Sequence, residues 1–185
     1  MSNKPHKLVY WDNPWLRKKA EPHTEITEEV RKFVKEMIHR MISGDFATKT
    51  SFAIGLAATQ IQSSYRLFVV CPFLGEDSKE KWGPPKVFIN PKLIDPSDEM
   101  EIDDEGCLSF PQFYVPIARP VSITVEAQDL EGNVFKERIH GYYARQVMHE
   151  NDHLNGVVFI DRLSKNIRKK IKKDLDSLVI RCSKL

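Results

Sequence analysis

The stretch QVMHENDHLNG, residues 146–156, carries the pattern HExxH, and the rest of the chain is read outward from it. On a helix, His149 and His153 lie one turn apart and look the same way. Such a pair can hold a metal ion, with Glu150 as a base beside it. The plainer alternative is a surface helix with two solvated histidines. A catalytic site of this kind takes three protein ligands and leaves a fourth position to water. The third ligand therefore separates these readings, and its identity separates reaction classes.

Downstream of the stretch the choices are poor. In the metzincin pattern the third ligand is a histidine that follows a glycine. Here Gly156 is present, but Phe159 stands where the histidine belongs. No Glu follows Glu150 and no His follows His153, which leaves Asp161, Asp174, Asp176 and Cys182. The ligand is thus expected upstream, where residues 104–111 read DEGCLSFP. Cys107 follows a glycine there, and a thiolate is a good ligand for Zn or Fe(II). A free cysteine is more often a small buried hydrophobe. His140 and Cys71 are rival ligands, although neither sits in a glycine-containing loop near a strand end.

The 185 residues suit one domain over 1–185, and 41% hydrophobic with 29% charged residues is the balance of a soluble globular protein. The net charge of +2 gives no reason to expect DNA as a partner. No apolar run is long enough for a bilayer, so no membrane partner is expected. The start, MSNKPHKLVYWDNPW, has no apolar core of a secretory signal. Three cysteines, odd in number and far apart, point to a reducing cytoplasm rather than a disulfide framework.

Hydrophobic periodicity predicts an amphipathic helix over 26–42, with Thr27 as N-cap and an apolar stripe from Val30 to Ile42. Strands are predicted at 66–73, at 86–90 (cut by Pro91), and at 121–128, where apolar and polar residues alternate. DLEGN, residues 129–133, is a turn, and VFKERI returns as its hairpin partner. A helix over 142–154 carries HExxH and stops at Asn155-Gly156. VVFID, 157–161, reads as a last strand, and 164–185 as one basic helix with Ile167, Ile171, Leu175 and Leu178 on one side. This order suggests an α+β fold, a helix packed on antiparallel sheet.

Three blocks in this order, IGLAATQ at 54–60, EGCLS at 105–109 and HENDH at 149–153, resemble the signature motifs of peptide deformylases. The resemblance spans most of the chain. It implies antiparallel sheets packed around a central metal-binding HExxH helix, with a C-terminal helix. It implies an amide hydrolase that removes the N-formyl group from the N-terminal formylmethionine of nascent peptides in a bacterial-type cytoplasm. By that resemblance Cys107, His149 and His153 hold one divalent metal, Fe(II) first, with Zn, Ni or Co also suited. Glu150 is then the general base and acid, and the Gln60 side chain and the Leu108 backbone N–H steady the oxyanion. Ile54, Gly55 and Gly106 lie along the substrate backbone.

Four further expectations follow. Glu105 and Arg119 are candidates for an ion pair that holds the Cys107 loop. Ile102, Leu108, Tyr142 and Val147 are candidates for the methionine pocket. Ala53 replaces a glycine usual in the family, Tyr114 stands where many members carry Arg, and the 44–52 loop looks longer than usual, so substrate access is open to change. From Arg162 onward nine basic residues face two acids, which suggests contact with ribosomal RNA. The rival reading, a catalytically weak ribosome-associated binding module on the same fold, rests on Ala53 and this tail.

Overall fold

The computed structural model describes residues 7–22, 25–43 and 53–182. The Gly44–Phe52 loop lies outside them. Helix α1 (Glu28–Ser43) is followed by strands β1 (Gly55–Ala57), β2 (Leu67–Val70) and β3 (Lys86–Ile94). A long hairpin, β4 (Met100–Cys107) and β5 (Phe110–Pro120), precedes β6 (Ser122–Gln128) and β7 (Val134–His140). Helix α2 (Gly141–Leu154) carries the HExxH pattern, and α3 (Lys165–Lys170) and α4 (Lys172–Cys182) end the chain. β1, β2, β3, β6 and β7 form one antiparallel sheet in that order, while β4 and β5, among the described residues, pair only with each other. The fold is α+β, as expected.

Both faces of the larger sheet are covered, so its inner strand β2, LFVV, is apolar throughout rather than alternating. Phe68 and Val70 point to α2, where Ala144, Val147, Met148 and Leu154 meet them. Leu67 and Val69 point to the opposite side, against the α1 stripe of Val30, Phe33, Val34, Met37 and Met41. A third cluster joins Phe110, Phe113 and Ile117 of β5 to Leu16, Phe159 and Leu178. Helix α2 is thus held between the large sheet and the β4–β5 hairpin.

Three expectations need correction. The β3 strand does not stop at Pro91. Asn90 takes a positive φ of 51°, the pairing with β6 shifts register between Ile89 and Lys92, and the strand continues to Ile94. Such a bulge is where a proline fits inside a sheet. VVFID is not a strand, because Phe159–Arg162 form a 3-10 turn with the Asp161 carboxylate accepting from Val158 N. The basic C-terminal helix is interrupted at Ile171, and its stripe docks through Leu178, while Ile167 stays exposed.

The helix stop at Asn155-Gly156 is as expected, and its geometry explains the residue. Gly156 has φ 69°, and a Cβ there would sit 2.5 Å from the Arg17 carbonyl oxygen. Gly156→Ala therefore combines an unfavourable φ with a backbone clash. A loss of at least about 1 kcal/mol is expected from urea unfolding.

Candidate metal centre

Helix α2 buries polar residues on the side away from the sheet. Arg145, Gln146, His149, Glu150, Asp152 and His153 are all buried. Burying so many polar groups is costly unless each finds a partner. Their partners come from the β4–β5 hairpin and the segments beside β1 and β2.

Cys107 ends β4 at a register shift that turns the chain toward α2. Its Sγ lies 3.3 Å from His153 Nε2. The ligating atoms of Cys107, His149 and His153 all lie within 4.8 Å of one another, the only such group among the described residues. The rivals His140 and Cys71 are not in it. The Glu105 carboxylate meets His149 Nδ1 at 3.0 Å, which leaves the other ring nitrogen for a ligand. Burial pushes the His153 ring well below its ordinary value, so it is a neutral donor. Burial acts the same way on His149, but hydrogen bonds with Cys107 and Glu105 outweigh it and hold that ring well above its ordinary value. One thiolate and two imidazoles, sharing a buried point, fit a borderline-soft divalent ion.

Glu105 is held in turn by two arginines. Arg119, 1% exposed, contacts it at 2.5 and 2.7 Å and also reaches Asp152 at 2.9 Å. Arg145 contacts it at 2.9 Å and donates to the carbonyls of Ile117 and Glu101. Burial acts to raise the Glu105 carboxyl. The bonds from Arg119 and His149 overcome this and hold it well below the usual carboxylate range. The expected Glu105–Arg119 pair is present. The sequence reading missed Arg145 and Asp152, and the available signal was their place one turn before His149 and next to His153 on the HExxH helix.

Glu150 lies against Gly55, where any side chain would collide with its carboxylate. Its Oε2 is buried without a protein partner. Burial raises its carboxyl to about 7, against the lowering effect of His149 and Arg119. Gln60 is fixed at both ends. Its Oε1 accepts from Ala57 N at 2.9 Å, and its Nε2 donates to Ser109 Oγ at 3.1 Å and to Cys107 Sγ at 3.4 Å. The amide N–H therefore faces the cluster. Leu108 follows Cys107 and is half-buried, and Ile54 is half-buried beside Gly55. Gly106 lies beneath the Tyr114 ring.

The chain matches the family model for polypeptide deformylase over residues 5–169. It belongs to the peptide deformylase family. It is 37% identical over 170 residues to the peptide deformylase of Bradyrhizobium diazoefficiens, covering 92% of this chain and 94% of that one. It is 40% identical over 158 residues to that of Afipia carboxidovorans, covering 85% and 86%. The Thermotoga maritima peptide deformylase superposes with a TM-score of 0.74 at 37% identity, covering 88% of this chain and 99% of that one. Arabidopsis thaliana peptide deformylase 1B, in complex with an inhibitor, gives 0.80 at 32%, covering 93% and 89%. Deformylases are metalloenzymes that remove the N-formyl group from nascent peptides, and this chain is one of them.

One departure from the deformylase pattern resolves structurally. Ala53 is not among the positive-φ residues and packs, 4% exposed, in the α1 core, so it imposes no backbone strain. Two of the expected pocket residues do not face the site. Ile102 is 72% exposed on the outer face of the hairpin, and Val147 is sealed in the core under the sheet. Tyr142 instead forms a half-buried aromatic group with Phe73 and Trp82, at centroid distances of 5.5 and 6.0 Å.

Arg119→Ala would take one buried partner from Glu105, leaving it Arg145 and His149, and one from Asp152, leaving it Arg162. A loss of about 3–5 kcal/mol is expected in denaturant unfolding. Bound metal, measured by chelator competition, is expected to loosen by about tenfold or more as Glu105 ceases to fix His149.

Proposed function

We propose that Cys107, His149 and His153 are the metal ligands of this deformylase and that Glu150 moves the protons of the reaction. The observation that carries this is that the three donor atoms lie within 4.8 Å of one another, with the buried Glu150, its Oε2 without a protein partner, beside His149. The ion, when bound, supplies Lewis-acid activation of water and of the formyl oxygen. Every other role belongs to the chain. Glu150 takes the proton from the water that adds to the formyl carbon, and then delivers it to the departing amine. The Gln60 Nε2 and the Leu108 backbone N–H donate to the oxyanion. Gly55 and Gly106 leave room for the substrate backbone, and Ile54 lies beside it. β1 is the edge of its sheet, so its backbone can take the peptide as an added strand.

Fe(II) is the ion we propose, and the same donors accept Zn, Ni or Co. The setting is a bacterial-type cytoplasm. The reading as a weak, non-catalytic binding module is not favoured, since the base and ligand set are complete and Ala53 is unstrained.

Formate release from formyl-Met-Ala-Ser by anaerobically prepared protein, with metal measured on the same sample, tests the assignment. Glu150→Gln is expected to retain metal and lose at least about a hundredfold in kcat. Retained activity in that variant would remove Glu150 from the role. The base must be ionised to act, and its carboxyl is raised to about 7 before an ion is bound. The charge of a bound cation draws it down. The kcat/KM profile is therefore expected to fall on the acid side, with an apparent pKa no higher than about 7.

We also propose that the basic helices α3 and α4 contact ribosomal RNA. Lys169, Lys170, Lys172 and Lys173 are exposed together around the break at Ile171. Leu178 is buried, so truncation would damage the core. Charge reversal of Lys169, Lys170 and Lys173 to Glu is the cleaner test. Cosedimentation with ribosomes at low salt is expected to fall, with formate release unchanged.

A further inference from the structure

We propose that residues 7–11 are a positioning strap, in which Val9 and Trp11 set the spacing between the Gln60 amide and the Leu108 backbone N–H so that both donors meet one oxyanion. This goes beyond the roles proposed for Gln60 and Leu108 and rests on them.

The two donors sit on separate segments. Gln60 lies in the Ala58–Ile61 3-10 turn that follows β1. Leu108 and Ser109 form the tip of the β4–β5 hairpin, between the paired residues Cys107 and Phe110. Among the described residues no strand ladder joins these segments, since β1 belongs to the larger sheet and the hairpin pairs only with itself. One link is made by side chains, where Gln60 Nε2 donates to Ser109 Oγ at 3.1 Å. The N-terminal segment makes a second link through the backbone. The Val9 N–H donates to the Gln60 carbonyl at 2.8 Å, and two residues on, the Trp11 N–H donates to the Ser109 carbonyl at 2.9 Å. The strap therefore ties the main chains of the same two residues whose side chains touch.

The strap is itself held firmly. Val9 is 3% exposed and packs in the cluster that contains Phe110, Leu178 and Cys182. Leu8 packs against the α1 cluster instead, so the segment is gripped from two sides. The Trp11 ring stacks on Phe110, next to Ser109, at a centroid distance of 5.1 Å and an angle of 28°. The Arg17 guanidinium lies 5.3 Å from the same ring. A buried segment must pair its N–H groups somewhere. Cover of the core explains the burial of Val9, but it does not explain why both acceptors are the residues that carry or adjoin the oxyanion donors. Donors of this kind act through fixed position, and a displacement of about 1 Å can cost about a hundredfold in rate.

The experiment measures kcat and KM for formyl-Met-Ala-Ser, metal content, and urea unfolding. The variants are Val9→Pro, Trp11→Ala and Trp11→Phe, each made in the wild-type and the Gln60→Ala backgrounds. Val9→Pro removes the N–H that meets Gln60, and Trp11→Ala removes the ring that meets Phe110. In the wild-type background each is expected to lose about tenfold in kcat, with KM within about twofold and metal content unchanged. Trp11→Phe keeps a ring on Phe110 and should keep kcat. In Gln60→Ala one donor is left, the oxyanion can settle against it wherever it lies, and the strap has no spacing to set. There the further loss in kcat should shrink below about threefold, while the loss of stability stays as it was. Losses in kcat that multiply undiminished in Gln60→Ala would overturn the proposal, because a general structural role gives that result. Wild-type kcat in Trp11→Ala, or a loss confined to KM, would overturn it as well. If Val9→Pro does not fold, the Trp11 variants decide alone. Full kcat in Gln60→Ala by itself would instead overturn the oxyanion role of Gln60, and the strap with it.

Discussion

The buried carboxylate of Glu105 is the constraint on which the site depends. It accepts from Arg119 and Arg145 and fixes His149 Nδ1, all of them buried between α2 and the hairpin. Buried ion pairs are weak devices for stability, because desolvation offsets their attraction. A well-packed apolar contact between α2 and β5 would serve folding as well. What the charged network adds is direction. Two guanidinium groups hold one carboxylate, which sets the orientation of one imidazole. The same arginine reaches Asp152, whose other contacts run to Arg162 at the end of the Phe159–Arg162 turn. The hairpin, the HExxH helix and the start of the C-terminal segment are thereby joined beside the ligands.

Local pattern reveals those parts of the molecule whose burial is one-sided or whose chemistry is contiguous. The α1 stripe and the HExxH helix with its Asn155-Gly156 stop are of this kind. The β4–β5 hairpin is not. Its first strand, MEIDDEGC, has no apolar inner face, because what it buries against α2 is an ion pair. Its second strand carries three prolines, which weaken any strand signal. VVFID misleads for a different reason. Five apolar-rich residues look like a strand, but Asp161 bonds back to Val158 N and closes a turn.

The site shows the same division. HExxH and EGCLS name the proposed ligands through the resemblance, and the proposed role of Glu150 needs only its neighbours. Arg145 and Asp152 look like ordinary charges on a helix surface until the hairpin is folded against them. Their partners Glu105 and Arg119 are distant in sequence, and charge complementarity at such range has no local period. The pocket residues failed similarly. Ile102 and Val147 are apolar and near the motifs in sequence, yet strand alternation puts one in solvent and helix phase puts the other in the core.

Glu150 and Gly55 show how the two sides of the site constrain each other. A carboxylate buried without a partner is unfavourable, and burial alone drives it toward the protonated form. Yet the role proposed for Glu150, a general base, requires it to be ionised near neutrality. A side chain at position 55 would displace the carboxylate, and moving α2 away from β1 would open the contact between Val147 and the sheet core. Glu150 is therefore held by backbone proximity on one side and by core packing behind the helix on the other. Its ionisation is left to the surrounding charges. His149 and Arg119 already favour the carboxylate, and a cation held by Cys107, His149 and His153 favours it further. On the proposed roles, metal binding and readiness of the base would be coupled, since a cation held by these three residues would both acidify a water and favour the ionised Glu150 carboxylate.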